Sequence, residues 1–236
     1  MSRTLNDPRI ANGMRAQMAL RQRRFDEGAR QIGWKVGFGA PKAMLQFQLT
    51  APIVGFLLDS AELPSDSTVS LAGWTKPVAE AEIAAYIGRD LPADATRDDT
   101  RKAIAAIGPA IELADLTGNT EDIEAILAGD IFQRHVILGP RDIMREGGRL
   151  FGLKAHINRS GKDVPAPLDL QTNTGDIITI VRHVAEVAGT VGGGLRAGQF
   201  IITGSITPPM LLEPGESAVD FDLPPVGSVS VKFAPG

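Results

Sequence analysis

A chain of 236 residues can bury a sizeable core, as one large domain or two small ones. Its 43% apolar and 22% charged content is that of an ordinary globular protein, and a net charge of -4 argues against a nucleic-acid surface despite the short basic cluster Arg21-Gln22-Arg23-Arg24. The lack of cysteine excludes a disulfide framework, a thiol nucleophile and a zinc-thiolate site, while a polar start and no apolar run of about 18 residues predict a soluble, cytoplasmic protein that does not enter a membrane.

In chain order, Asp7 to Gly28 reads as a helix with an apolar stripe of Ile10, Met14, Met18 and Phe25, which is scaffold or an oligomer contact. Gln31 to Gly39 reads as a strand in which three glycines surround Lys35. Glycines allow close approach of backbone or ligand, so Lys35 is either a functional, desolvated amine or a lysine snorkelling from an edge. Pro41 to Gln48 is a short helix with proline in its first turn. Ala51 to Leu58 enters a buried strand that ends at Asp59-Ser60, where the aspartate is catalytic or caps a turn.

The next stretch, Pro77 to Gly88, places two acids in an otherwise apolar strand. Alternation puts Glu80 and Glu82 on one face, roughly 7 Å apart, and Ala79, Ala81, Ile83, Ala85 and Ile87 on the other. Two readings follow: a solvated face, or a site for a hard divalent cation. Thr96 to Ile107 is patterned as a helix with Thr96 and Asp99 spaced as a capping box, stopped by Gly108-Pro109. Ala110 to Asp115 is again a strand, in which Glu112 has small neighbours and is either a ligand or one half of an ion pair.

Thr120 to Ala128 reads as a helix capped by a left-handed Gly129, and Asp130 to Gly139 as a strand. Its Arg134 could hold a carboxylate in bidentate fashion, with His135 beside it. Ser160-Gly161 marks a hairpin turn after a strand that carries His156, and Gly175 to Val191 a covering helix with His183 and Glu186. Phe200 to Thr207 is a buried strand with a hydroxyl-rich end, where Thr203, Gly204, Ser205 and Thr207 suit carboxylate binding or an ordinary turn. Two strands, Ser217 to Asp222 and Val226 to Phe233, close the chain. No repeat, phosphate loop or dinucleotide-binding fingerprint is present.

Gly33-Trp34-Lys35-Val36-Gly37, Ala79-Glu80-Ala81-Glu82-Ile83, Pro109-Ala110-Ile111-Glu112, Ala197 to Ser205 and Gly227 to Val231, in that order, resemble the fumarylacetoacetate hydrolase superfamily. Within it, the resemblance is to the group of 2-keto-4-pentenoate hydratases and 4-oxalocrotonate decarboxylases. It spans Gly33 to Phe233 and implies an α+β fold, a mixed β-roll with flanking helices: an N-terminal helical segment at 1–30 and a single catalytic domain at 31–236. It further implies a homo-oligomer that binds Mg2+ or Mn2+ through Glu80, Glu82 and Glu112. Lys35 is then the first acid-base candidate and Asp59 the second, and Ser205 and Thr203 hold the carboxylate of a 2-oxo acid.

The implied reaction is addition of water to a 2-hydroxy-2,4-dienoate in aromatic catabolism. Decarboxylation of a 2-oxo dioate, hydrolysis of a diketo acid, and a non-catalytic metal-stabilised fold are the alternatives. Two departures from the family pattern stand out. Asp130 to His135 replaces an Asn-Ala-Ser-Ser-Gly-like segment, and Asp59-Ser60 keeps one acid of a pair.

Overall fold

The computed structural model describes residues 6–234, so residues 1–5 of the expected N-terminal segment lie outside the described residues. Helices α1 (Pro8–Asp26), α2 (Pro41–Phe47), α3 (Arg97–Ala103), α4 (Ile123–Ala128) and α5 (Ile177–Thr190) flank two sheets. The strands are β1 (Gln31–Gly37), β2 (Ile53–Leu58), β3 (Glu62–Leu63), β4 (Ser67–Val69), β5 (Pro77–Ile87), β6 (Ile104–Asp115) and β7 (Gln133–Leu138). They continue with β8 (His156–Arg159), β9 (Lys162–Val164), β10 (Phe200–Ser205), β11 (Met210–Leu211), β12 (Ala218–Leu223) and β13 (Gly227–Phe233).

The larger sheet runs β2-β1-β10-β5-β6-β7-β3 with β11 added on β5, and curls into a half-barrel. The smaller runs β4-β13-β12-β8-β9. The parallel pair β1·β10 among antiparallel neighbours makes the larger sheet mixed. This is the α+β β-roll that the resemblance implied.

The period-two alternation of β5 divides the core. Ala79, Ala81, Ile83, Ala85 and Ile87 belong to the main core, which also takes Ile10 and Met14 of α1 and the inner faces of β12 and β13. On the opposite face Leu57, Ala84, Ala110, Val136, Phe200 and Ile202 form a separate apolar cluster. The register pairs Glu80 with Glu112, Glu82 with Ala110 and Ala84 with Gly108, so the acids sit on that same face, one step along the strand from the apolar cluster.

Three local expectations are corrected. The helix from Thr96 ends at Ala103, although its capping box forms, with Thr96 Oγ1 accepting from the Asp99 N–H at 3.2 Å. Ile104 and Ile107 lie fully in the core as part of β6, and burial there outweighs their helical spacing. Gly108 and Pro109 accordingly lie within a strand rather than stopping a helix. Pro140 O sits 2.5 Å from where a Cβ on Gly108 would be, so only glycine fits. Finally, Gly129 is not left-handed (φ -89°). The left-handed residues are the next three, Asp130, Ile131 and Phe132, and β7 starts only at Gln133.

Candidate active site

The acids of β5 and β6 meet through strand pairing alone. One carboxylate oxygen from each of Glu80, Glu82 and Glu112 lies within 4.8 Å of the others, with Glu82 and Glu112 wholly buried and Glu80 partly so. The solvated-face reading of Glu80 and Glu82 therefore fails for Glu82, and Glu112 is half of an ion pair with Lys35. Glu82 Oε2 accepts from the Gly204 N–H at 2.6 Å, a donor that Gly204 presents from a left-handed conformation (φ 94°). Glu82 Oε1 and Glu112 Oε2 are buried without a hydrogen-bond partner. Buried carboxylate oxygens do not stay bare without cost, and an all-oxygen cluster of this span is the donor set that a hard divalent cation prefers. The residues thus fit the metal that the resemblance implies.

Lys35 projects from β1 onto the same face. It is 2% exposed, its Nζ donates to Glu112 Oε1 in a short ion pair, and it donates to the Ile131 carbonyl at 3.2 Å. It is a buried, paired amine and does not snorkel. Burial alone would lower its pKa, but the charges of Glu112, Glu80 and Asp130 and the hydrogen bond to Glu112 leave it raised. Burial is the first cause that raises the acids: Glu80 is pushed up to about 7, with Glu112 adding repulsion and Lys35 opposing it, and Glu82 goes well above the ordinary range. Asp130 is likewise raised well above its ordinary value by burial, partly opposed by Lys35.

Above the acids lies a cavity of about 260 Å³, walled by Lys35, Val36, Phe38, Val78, Glu80, Leu116, Phe132, Asn173, Thr203 and Ser205 among others. The Ser205 hydroxyl is buried and has no partner, whereas the Thr203 hydroxyl is committed to the Ile83 carbonyl at 2.9 Å. Of Ser205 and Thr203, which both wall the cavity, only Ser205 has its donor free. Asn173 Nδ2 donates to the Ser205 carbonyl at 2.8 Å and so fixes that end of β10.

Asp59 and Arg134 are not brought into this cavity. Both line a wider depression of about 960 Å³ that meets the cavity at the Gly129–Phe132 turn. Asp59 accepts from the Arg30 backbone N–H at 2.9 Å and from Arg30 Nε at 3.0 Å, and those bonds hold its pKa down. Arg134 pairs with the buried Asp115 at 3.1 Å and lies over the Trp74 ring. His135 stacks on Trp74, and His183 Nε2 bonds the Pro52 carbonyl at 2.8 Å. The residue that sequence reasoning missed is Asp130, whose only signal was an acid placed where the apolar pattern breaks after Gly129.

A model described as fumarylacetoacetate (FAA) hydrolase C-terminal matches residues 34–233, which carry every site residue named above. The chain belongs to this family. Among the family's curated members, it is 26% identical over 233 residues to the 2-keto-4-pentenoate hydratase of Paraburkholderia xenovorans strain LB400, covering 98% of this chain and 86% of the relative. It is also 26% identical over 227 residues to the 4-oxalocrotonate decarboxylase of Pseudomonas putida, covering 95% and 85%.

The solved structure of 4-oxalocrotonate decarboxylase from Pseudomonas putida G7, complexed with magnesium and adipate, superposes with a TM-score of 0.85 at 25% identity over 99% of this chain and 90% of that one. Fumarylpyruvate hydrolase from Pseudomonas aeruginosa, in complex with Mn2+ and pyruvate, shares the fold at a TM-score of 0.68 and 14% identity, over 88% and 90%. Similarity thus reaches both hydratases and decarboxylases. Among the described residues, no helix is long and apolar enough to cross a membrane.

Proposed function

We propose that this chain is a divalent-metal-dependent hydratase that adds water to a 2-hydroxy-2,4-dienoate, giving a 4-hydroxy-2-oxo acid in the breakdown of aromatic compounds. The observation that carries the reading is the pair of bare, buried carboxylate oxygens on Glu82 and Glu112, beside the Lys35 ammonium and under a cavity with an unpartnered serine hydroxyl. Glu80, Glu82 and Glu112 would hold Mg2+ or Mn2+, which when bound supplies a Lewis acid for the oxygens of a 2-oxo acid.

The chain's own groups do the rest. Ser205 Oγ donates to the substrate carboxylate. Lys35 Nζ, acting as an ammonium, delivers a proton to C5 of the dienol and takes up the one that the C2 hydroxyl releases, which leaves an unsaturated ketone. Water then adds its oxygen to C4 and a proton to C3. The apolar walls keep bulk water from the rest of the substrate. Asp59 and Arg134, each spent on an ion pair outside this cavity, take no part.

What favours hydration over decarboxylation of a dioate is the charge of the lining. Lys35 and Glu80 are the charged side chains among the described residues that wall the cavity, and Lys35 already serves Glu112. A second substrate carboxylate would be buried against Val78, Leu116 and Phe132 without a cation. The exposed Ile143, Met144, Phe151 and Leu168 support the homo-oligomer, which light scattering of the purified protein tests.

The deciding experiment follows the ultraviolet chromophore of 2-hydroxypenta-2,4-dienoate with magnesium and again after chelation. Chelator-sensitive loss with 4-hydroxy-2-oxopentanoate as product is the expected result. Carbon dioxide release from 4-oxalocrotonate, without dienoate consumption, would replace hydratase by decarboxylase.

A further inference from the structure

The turn that links α4 to β7 is unusual in its backbone. Asp130, Ile131 and Phe132 are all left-handed, with φ of 57°, 54° and 63°, and none is glycine. Side chains disfavour this conformation, most of all the β-branched Ile131, and three in succession persist only where the surroundings enforce them. Here the enforcing contacts are specific. The Asp130 carboxylate is buried and its Oδ1 accepts from the Phe56 N–H of β2 at 3.0 Å. The Asp130 carbonyl accepts from the Gln133 N–H at 3.2 Å, and the Phe132 carbonyl from the Asp115 N–H at 3.0 Å.

The carbonyl between them, on Ile131, accepts from Lys35 Nζ. The neighbouring strands are cut to receive the turn. A Cβ on Gly37 would meet Ile131 Cγ2 at 2.8 Å, and one on Gly55 would meet Asp130 Oδ1 at 2.8 Å and Lys35 Cγ at 3.0 Å.

We infer that the Asp130–Phe132 turn is a positioning device for Lys35: it aims the Ile131 carbonyl at the lysine Nζ, and Asp130 locks the turn in that pose by clasping β2. The inference rests on the proton-handling role given to Lys35 above. Glu112, the ammonium's other partner, is shared with the carboxylate cluster. The Ile131 carbonyl has no second claim, so its placement decides where the ammonium stands relative to the cavity. Asp130 acts through the turn and is a positioning residue.

Two variants separate the clasp from general stability. Asp130→Ala removes the acceptor for Phe56 and disfavours the left-handed pose, whereas Asp130→Asn keeps both, because asparagine tolerates that conformation and offers an amide oxygen. Measured at a temperature where circular dichroism shows each protein fully folded, Asp130→Ala should lower kcat by about 10-fold to 100-fold, with KM and magnesium affinity nearly unchanged. Asp130→Asn should recover most of that loss.

A second readout does not depend on the substrate. In a proton–nitrogen correlation spectrum, the hydrogen-bonded ammonium signal that Lys35→Met abolishes should vanish in Asp130→Ala and return in Asp130→Asn. The inference is overturned if Asp130→Ala keeps both kcat and that signal, if magnesium affinity falls in step with kcat, if Asp130→Asn is as impaired as Asp130→Ala, or if the wild type shows no such signal. Should the dienoate prove not to be the substrate, the spectrum alone decides.

Discussion

At the level of single residues, the site's chemistry comes from charge held out of water. Glu82 sits with one oxygen on the Gly204 N–H and the other bare, so Glu82→Gln keeps an acceptor for Gly204 and removes a charge that repels Glu80 and Glu112. Metal-dependent turnover should fall by ~100-fold or more, since a lost ligand costs at least as much as a lost partner of a ligand. The metal-free protein should melt no lower than wild type. Calorimetric titration with magnesium, alongside a melting curve, checks both, and a variant that binds metal normally would remove Glu82 from the ligand set.

Ser205→Ala makes a different statement. A hydrogen bond to a charged group is worth about 1.5–3 kcal/mol, so KM should rise by roughly 10-fold to 100-fold with kcat less affected. Thr203→Val should leave KM near its wild-type value, because the Thr203 hydroxyl already serves Ile83. The pair Glu80 and Glu82 was legible in sequence because alternation along one strand is local. Asp130 was not, because it reaches Lys35 through a turn whose left-handed pose depends on Phe56, more than 70 residues away.

At the level of elements, the half-barrel depends on close backbone approach between β1 and β10. A Cβ on Gly33 would run into the Phe200 carbonyl oxygen, which as backbone in a paired strand cannot yield. Gly33→Ala should therefore cost about 3 kcal/mol or more, the upper range for overpacking, and disturb the strand that carries Lys35. By contrast, Thr96→Ala loses one helix cap at the periphery and should cost only about 1 kcal/mol. Urea unfolding of the two variants compares them directly, and a Gly33→Ala protein as stable as Thr96→Ala would contradict the steric account. Strand β6 explains why element type was misread after Ala103. Ile104 and Ile107 have helical spacing, and only their burial in the core and their pairing with β5 make them strand.

For the whole molecule, the acid cluster makes stability depend on pH in an unusual direction. A carboxyl whose folded pKa is raised binds protons more tightly folded than unfolded, so its contribution is complete below the unfolded value and is lost as pH rises through the folded one. Glu80, raised from 4.5 to about 7, places that window between those values, and Glu82 extends it upward. Asp176 acts oppositely. The Arg97 hydrogen bond lowers it, so its contribution is complete above the ordinary carboxylate range and is lost only in acid.

Between pH 6 and 8 the cluster works against His135 and His183, which burial lowers and which add stability with rising pH only up to the ordinary histidine range, so metal-free protein should melt lower at pH 8 than at pH 6. Added magnesium or manganese should raise the melting temperature more at pH 8, because binding must displace fewer protons there. Scanning calorimetry at both pH values, with and without metal, measures this. Equal metal-induced shifts would mean that the cluster is already ionised at pH 6.

The sequence by itself determined the fold class, through the family resemblance, and offered Glu80, Glu82, Glu112 and Lys35 as candidates. Two acids at i and i+2 in an apolar strand, a third acid flanked by alanines, and a lysine among glycines are local patterns whose side-chain directions follow from strand geometry alone. Tertiary structure decided which of those groups share one cavity. Asp59 and Arg134 went to the far side of the Gly129–Phe132 turn, each to its own counter-charge; Asp130 lines that side too, and its neighbours Ile131 and Phe132 wall the cavity. Strand order and the curl of the sheet, which no residue spacing encodes, set those distances.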